Sequence, residues 1–246
     1  ADDVTLNLQG IGATATAATS DSGIAVVTLD SHETINIGSN ANAANNVTTN
    51  GVEGLEAAAA TGINITGSAI LDIDAITNTT KLVSIDASAA TNKVTIDGID
   101  ASKITIKAAA KDTTLSMAGL NNDDQVIGGA GSKDYLTATA VTGLTATTGK
   151  LNIQDVETVE LNATGANTID GSLLSGVNLL AFSGATPGVQ TVTNLGAGVI
   201  IGIGDAGAEF DNGDDIDVTL ADETGTADSV EFKVDNTSGA ATDADV

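Results

Sequence analysis

The residues best suited to chemistry lie in one stretch, GLNNDDQVIGGAGSKDYLT, which runs from Gly119 to Thr137. A pattern of glycines, then an Asp, then an apolar residue occurs in it twice. The second copy consists of Gly128, Gly129, Gly131, Asp134 and Leu136, with Lys133 inserted before the Asp. The first copy is degenerate. Asp124 and Val126 occupy its Asp and apolar positions and Gly119 is retained, but Leu120 and Asn122 stand where the other glycines are expected.

This pattern is typical of calcium-binding turns in repeat proteins. Glycines let the turn carbonyls point at the ion with unusual backbone angles, the Asp supplies anionic oxygen, and the apolar residue anchors the strand. Calcium takes six to eight oxygens, more than one turn offers, so tandem copies are needed. The candidate ligands are Asn122, Asp123, Asp124, Gly128, Gly129, Gly131 and Asp134. A Gly-Asn-Asp turn without metal is the alternative.

A second acidic region extends from Gly204 to Asp235 around three apolar strand cores. Adjacent carboxylates repel each other unless a cation holds them, so a second calcium cluster and a simply solvated acidic edge are both open. The region does not match an EF-hand loop, because the bidentate Glu is missing at the required place. The candidate ligands here are Asp205, Asp211, Asp214, Asp215, Asp217, Asp222 and Asp228.

Catalytic motifs are missing from the sequence. His32 is the only histidine, and a lone His beside a strand is more often a surface residue than a base. There is no G-x-S-x-G, no phosphate loop with Lys and no His-based zinc site. Paired carboxylates could hydrolyse glycans, but such clefts usually grip sugar with aromatic residues and Arg. We therefore expect a protein that is not an enzyme.

The charge balance limits the partners. The chain has 33 Asp plus Glu against 8 Lys plus Arg, a formal net charge of -25, and all its cations are lysines. Such a chain repels nucleic acid and anionic membranes, whereas divalent cations are its natural counter-charge. No apolar run is long enough to insert into a membrane. The absence of Cys excludes disulfides, thiolate metal sites and a Cys nucleophile.

The elements that carry these residues are short strands at nearly even spacing. Apolar, polar, apolar triplets end at Ile65, Ile73, Ile85, Ile96, Ile106 and Leu115, in steps of 8 to 12 residues, and the pattern continues to Ile201. Such alternation has the period of a strand, and the turns are rich in Gly, Asn, Asp and Ser. Evenly spaced strands fit a sandwich or a solenoid. With only 2% aromatic residues, the core is narrow, which favours the solenoid.

The predicted fold is therefore all-β, a right-handed parallel β-solenoid of the β-roll or β-helix kind, with irregular calcium-binding loops. Residues 1–60 are a strand-rich segment whose topology the pattern leaves open, and LEAAAA, Leu55 to Ala60, predicts a short helix or a cap. Residues 61–203 form the solenoid. Residues 204–246 are an Asp-rich β segment that we expect to continue into a longer protein.

Two other features have alternative interpretations. Lys81, Lys93, Lys103, Lys107 and Lys111 fall in one segment, either as ordinary solvated charge or as a weakly basic face for an acidic neighbour or an anionic polysaccharide. Thr95, Thr105 and Thr114 hold matching places in successive units, so an ice-binding threonine ladder is a minor alternative.

In these motifs the chain resembles the calcium-dependent S-layer proteins with RTX-type repeats that Gram-negative bacteria export by type I secretion. NNDDQVIGGAGSKDYLT carries the resemblance, together with ETINI at Glu33, VETVEL at Val156, the segment from Ile65 to Gly98 and LADETGTADSV at Leu220. It covers most of residues 24–235, and large RTX adhesins share these motifs.

The resemblance implies a structural, self-assembling protein that is secreted and forms a two-dimensional lattice on the bacterial cell surface. It also implies anchoring through polysaccharide, and calcium-triggered folding after export. Of the motif positions, Gly128, Gly129, Gly131, Asp134 and Asp124 carry over. The repeat stalk of a secreted RTX adhesin is the leading alternative, and a solenoid enzyme that degrades polysaccharide is a further one.

Overall fold

The structure is a computed structural model. It describes residues 2–10, 24–42, 48–77, 79–100, 103–139, 141–145, 151–186, 188–204, 215–222, 224 and 229–235. In these ranges the protein is all-β, and a single 3-10 turn at Gly171–Leu173 accounts for all the helix. No helix in the described ranges is long and apolar enough to cross a membrane.

In chain order the strands are β1 (Asp3–Gln9), β2 (Ile24–Thr28), β3 (Thr34–Asn40), β4 (Thr49–Glu56), β5 (Gly62–Gly67), β6 (Ile70–Ile73), β7 (Ile76–Thr77), β8 (Ser84–Ala90), β9 (Val94–Ile99), β10 (Thr105–Lys107), β11 (Thr113–Met117), β12 (Leu120–Asn121), β13 (Gln125–Ile127), β14 (Tyr135–Ala138), β15 (Val141–Thr142), β16 (Ile153–Gln154), β17 (Thr158–Thr164), β18 (Asn167–Asp170), β19 (Leu174–Ser175), β20 (Leu179–Thr186), β21 (Gln190–Leu195), β22 (Ile200–Gly204), β23 (Ile216–Leu220) and β24 (Glu231–Asp235).

These strands stack into two long parallel sheets. Sheet 1 has the order β1-β3-β5-β8-β10-β13-β16-β19, and sheet 2 has the order β2-β4-β6-β9-β11-β14-β17-β20-β22-β24, with β7 also paired to β4. The short sheets β12-β15 and β18-β21-β23 form a third side. From β1 to β20 the chain passes from sheet 1 to sheet 2 and back at each turn, and from β20 to β24 it alternates between sheet 2 and the third side. The protein is therefore a β-solenoid, as predicted. Its right-handedness stays a prediction.

The core consists of apolar side chains stacked in register from turn to turn. In sheet 1 one column runs Val4, Ile35, Ile63, Ile85, Ile106, Val126, Ile153, Leu174. In sheet 2 another runs Val52, Ile73, Ile96, Leu115, Leu136, Val159, Leu180, Ile201, Phe232. β-branched and aliphatic residues suit such columns because they fill a narrow interior. The last member, Phe232, is 50% exposed.

The column register explains the spacing in the sequence. Ile85 and Ile106 are neighbours in sheet 1, whereas Ile96 and Leu115 are neighbours in sheet 2. Each step of about ten residues therefore takes the chain from one sheet to the other, and a full turn takes about twice as many residues. Thr105 lies in sheet 1 and Thr95 and Thr114 in sheet 2, so the three do not form one threonine ladder.

The first sixty residues supply the first rungs of both sheets. β1 pairs with β3 and β3 with β5, so the ladder of sheet 1 continues across residue 60. Of the two alternatives predicted for Leu55 to Ala60, a short helix or a cap, the helix is wrong: Leu55 and Glu56 end β4, and a turn follows. Leu55, Ala57 and Ala60 are buried in the core, and packing there decides the conformation over the helical preference of alanine.

Candidate metal centre

The predicted calcium turns occupy two corners of one solenoid turn. Asp124 ends the corner between β12 and β13, and Asp134 ends the corner between β13 and β14. Asp124 therefore lies directly before β13 and Asp134 directly before β14, at two successive corners. We use the name Asp corner for residues 119–134 as a whole, which include both of these corners.

Asp124 is fully buried, with 0% exposure. Its Oδ1 accepts the backbone N–H of Ile104 at 2.9 Å, and its Oδ2 accepts that of Asn121 at 2.9 Å. Asn121 belongs to the same corner, whereas Ile104 belongs to the preceding turn of the solenoid. The carboxylate thus joins two turns while satisfying two backbone donors.

Asp134 makes the same kind of bridge at the other corner. It is 2% exposed; its Oδ1 accepts the N–H of Thr113 from the preceding turn at 2.6 Å, and its Oδ2 accepts that of Gly129 at 2.8 Å. Burial raises the pKa of Asp134 above its ordinary value, the two amide bonds oppose the rise, and Glu157 and Asp112 add to it.

Two further acids bond to backbone amides of neighbouring turns. The Glu157 Oε2 atom accepts the N–H of Asp134 at 2.7 Å, and the Asp112 Oδ1 atom accepts that of Ser132 at 3.2 Å. The sequence motif gave no indication of either contact, because both partners lie more than a strand away along the chain. Backbone N–H groups of neighbouring turns donate to the carboxylates of all four acids: Asp112, Asp124, Asp134 and Glu157.

Asn122 and Asp123 have structural contacts. The Asn122 Oδ1 atom accepts the N–H of Thr145 at 2.9 Å, which ties the corner to the following turn. Asp123 is exposed, and its backbone N–H donates to Asn121 Oδ1 at 2.8 Å.

The glycines of the motif are needed for a reason that differs from the predicted one. None of Gly128, Gly129 and Gly131 has a positive φ, so left-handed backbone angles do not explain them. Neighbouring turns approach them too closely for a side chain instead. A Cβ on Gly128 would lie 1.6 Å from the carbonyl oxygen of Asp155, and one on Gly129 would lie 1.6 Å from that of Ala109. The predicted importance of these glycines thus reflects stacking of the turns.

Asn152 is a further residue that the sequence motif did not indicate. It is 2% exposed and lies just before β16, on the turn after the Asp corner. Its side-chain Nδ2 donates to the carbonyl oxygens of Asn121, Asn122 and Asp124, at 3.3, 3.0 and 2.7 Å. Three carbonyls of the Asp corner therefore converge on one amide group.

In the acidic C-terminal region, Asp215, Asp217 and Asp222 lie in described ranges and are exposed. Asp217 projects from β23, and Asp222 accepts the N–H and the hydroxyl of Thr224 at 2.9 and 2.6 Å. These hydrogen bonds lower the pKa of Asp222. The other predicted ligands, Asp205, Asp211, Asp214 and Asp228, lie outside the described residues, so calcium binding by this region stays a prediction.

A contrasting group of acids lies on the outer face of sheet 2. Asp72 and Asp74 flank Ile73, Asp97 follows Ile96, and Ile73 pairs with Ile96, so Asp74 and Asp97 hold matching places on adjacent strands. Burial raises the pKa of Asp72, followed by repulsion from Asp74 and Asp97, while Lys93 lowers it. Burial and then Asp74 raise the pKa of Asp97.

Many oxygens at the predicted calcium turns accept hydrogen bonds from the chain. Within the described residues no three His, Cys, Asp or Glu side chains lie close enough to share a metal ion. At the Asp corner the carboxylates accept N–H groups of the chain, and three carbonyls accept the Asn152 amide. Calcium takes a shell of six to eight oxygens, and its binding by these turns stays a prediction. Comparison of the chain with protein-family models, with curated proteins and with solved structures finds no match.

Proposed function

We propose that this chain is a structural element of a secreted, self-assembling protein layer on a bacterial cell surface. The observation that carries the proposal is the pair of long parallel ladders, eight strands in sheet 1 and ten along the path of sheet 2. Each turn rests on the next through backbone hydrogen bonds and core columns. Such a molecule is a stiff spacer with extended side faces, which suits tiling better than catalysis.

The polar side chains on the outer faces support a structural role. Along sheet 1, Asn64 Nδ2 donates to Asn36 Oδ1 at 2.9 Å, and Lys107 Nζ lies 3.3 Å from Asp86 Oδ2. Asp86 also accepts the Ser88 hydroxyl at 2.5 Å. These side chains bond to neighbouring turns and to their own strand, and so reinforce the stack.

The net charge of -25 suggests how assembly is controlled. Copies with this charge repel each other, and calcium outside the cell would neutralise facing carboxylates and allow side-by-side packing. Residues 204–246 contain 13 Asp and Glu against one Lys, so this region is the preferred place for such ions. In the calcium-poor cytosol the same repulsion would keep the chain dispersed before export. Anchoring to a cell-surface polysaccharide is part of the proposal and rests on the sequence resemblance alone.

The repeat stalk of a secreted adhesin is the second candidate. The stacked turns favour it, because a solenoid lengthens simply by adding turns. A stalk works as a single rod, whereas a layer requires lateral contacts between copies. Assembly state therefore distinguishes the two functions.

The test is to move the purified chain from chelator into millimolar calcium while following light scattering, and to image the product by electron microscopy. A layer protein gives ordered sheets with calcium and disperses again in chelator, and magnesium at equal concentration serves as the control for simple screening. Single rods under every condition would contradict the layer and support the stalk. Release of a sugar product from a bacterial polysaccharide would contradict both.

A further inference from the structure

Three backbone carbonyls converge at the Asp corner, and the repulsion between their oxygens can be relieved in two ways. Carbonyl oxygens that point at one place repel each other unless a positive group lies between them. A metal ion is one such group, and an N–H donor is the other. Here the group is the Nδ2 of Asn152, at 2.7 to 3.3 Å from the oxygens of Asn121, Asn122 and Asp124.

We infer that the Asp corner is a metal-free counterpart of a calcium-binding turn, in which the Asn152 amide holds the three carbonyls that a cation would otherwise hold. An ion cannot share this position, because the amide hydrogens already occupy the space between the oxygens. Asn152 is 2% exposed, so water does not compete with the carbonyls for the hydrogen bonds of its side-chain amide. The inference is independent of any calcium bound between copies or in residues 204–246.

The buried carboxylates complete the argument. A calcium-binding Asp directs its oxygens at the ion, and both oxygens of Asp124 and Asp134 are directed at backbone N–H groups. Each uses one oxygen for its own corner and one for the preceding turn. Freeing either carboxylate for a metal would leave two backbone donors without acceptors, at a cost of about 1–3 kcal/mol for each donor.

The wild-type chain provides the decisive measurement. The amide hydrogens of Ile104 and Thr113 are bonded to Asp124 and Asp134, so their exchange with heavy water reports on the two corners separately from assembly. The chain is placed in chelator with high sodium chloride, which screens the net charge without coordinating. We expect both amides to be protected there as strongly as in calcium. Exchange that is fast in chelator with salt and slow only in calcium would overturn the inference.

A variant sharpens the test. Asn152→Asp replaces the donor by a carboxylate, so four oxygens would converge where a cation fits. In chelator we expect exchange at Ile104 and Asn121 to be about tenfold faster or more than in the wild type, and calcium to restore slow exchange. Asn64→Asp, at an exposed asparagine with one side-chain bond to Asn36, is the matched control and should show no local calcium response.

The two measurements test the inference independently. If Asn152→Asp folds and calcium leaves its exchange unchanged, the amide does not stand in the place of an ion. If the variant does not fold, the wild-type exchange alone decides. If the chain forms no ordered layers with calcium, the proposed layer is refuted and this inference stands. If the amides of Ile104 and Thr113 are protected only in calcium, this inference is refuted and the proposed layer stands.

Discussion

Acidic residues at the Asp corner and on the outer face of sheet 2 differ in the backbone donors that face them. Asp124 and Asp134 are almost completely buried, and each accepts two backbone N–H groups from two turns. Asp72, Asp74 and Asp97 are only half-buried, and their nearest charged neighbours are mainly each other. A parallel solenoid brings equivalent positions of successive turns together, so hydrogen bonds offset the cost of burying an acid where backbone donors face it, and repulsion adds to that cost where the acid stacks on another acid.

The largest expected effect comes from closing the space that the corner glycines leave. Gly129→Ala places a Cβ 1.6 Å from the carbonyl oxygen of Ala109, and backbone atoms must move to relieve the overlap. We expect a loss of about 3 kcal/mol or more in the free energy of unfolding, measured by urea denaturation. Gly196→Ala is the control, because a Cβ there meets nothing within 4 Å. Equal effects at both positions would contradict the stacking explanation.

The next effect comes from removing a buried carboxylate. Asp134→Ala leaves the N–H groups of Thr113 and Gly129 without their acceptor, and we expect about 2–4 kcal/mol of destabilisation. Asp134→Asn keeps one acceptor oxygen and should lose less. Asp217→Ala removes the same charge from an exposed site on β23 and should change the urea midpoint little. A stability gain in Asp134→Ala would show that charge repulsion outweighs the two hydrogen bonds.

The smallest effect has the opposite sign and comes from the stacked acids. Asp97→Asn removes a charge that burial and then repulsion from Asp74 and Asp72 make unfavourable, so we expect a gain of about 0.2–1 kcal/mol at neutral pH. Asp217→Asn removes an equal charge from an exposed site on β23 and controls for the lower net charge. A destabilised Asp97→Asn variant would reverse the contrast between the two regions.

The same variant should change the pH dependence of stability. The pKa values of Asp72 and Asp97 are raised above the ordinary value of 3.8. Between 3.8 and the raised values the folded chain binds more protons than the unfolded chain, so these groups make stability fall as pH rises through that interval. Urea midpoints between about pH 4 and about pH 7 should show a weaker fall in Asp97→Asn than in the wild type.

Much of the fold could be predicted from local pattern. Ile85, Ile96, Ile106 and Leu115 alternate with polar residues, and that alternation is enough to identify short strands with an inner and an outer side. The pattern could not show that neighbouring strands along the chain belong to different sheets, because the pairing partner lies a full turn away. Leu55 to Ala60 illustrates the limit: its alanines favour helix, but burial in the stack decides otherwise.

The position of the Asp corner could be predicted from the sequence, but the reason for its glycines could not. The motif suggested unusual backbone angles, whereas the contacts show close stacking of neighbouring turns. Gly128, Gly129 and Asp134 stand out because a turn with these residues is unusual, and they do occupy tightly constrained places. Asn152 could not be found in this way, since it lies 28 to 31 residues from the carbonyls it holds and belongs to no motif. A donor amide and a metal ion organise carbonyls alike, so the motif does not distinguish them.

The register of the core columns has a mechanical consequence. In the described part of the chain each strand pairs with strands of adjacent turns, so a pulling force applied to the chain ends would detach the end turns first and the interior turns one at a time. A turn such as that from Ile85 to Ile106 shortens the stack by about 4.8 Å when it detaches but releases roughly 70 Å of extended chain. The molecule would therefore yield in steps and absorb work under tension, and the carboxylate bridges of Asp124 and Asp134 add to the bonds that each step must break.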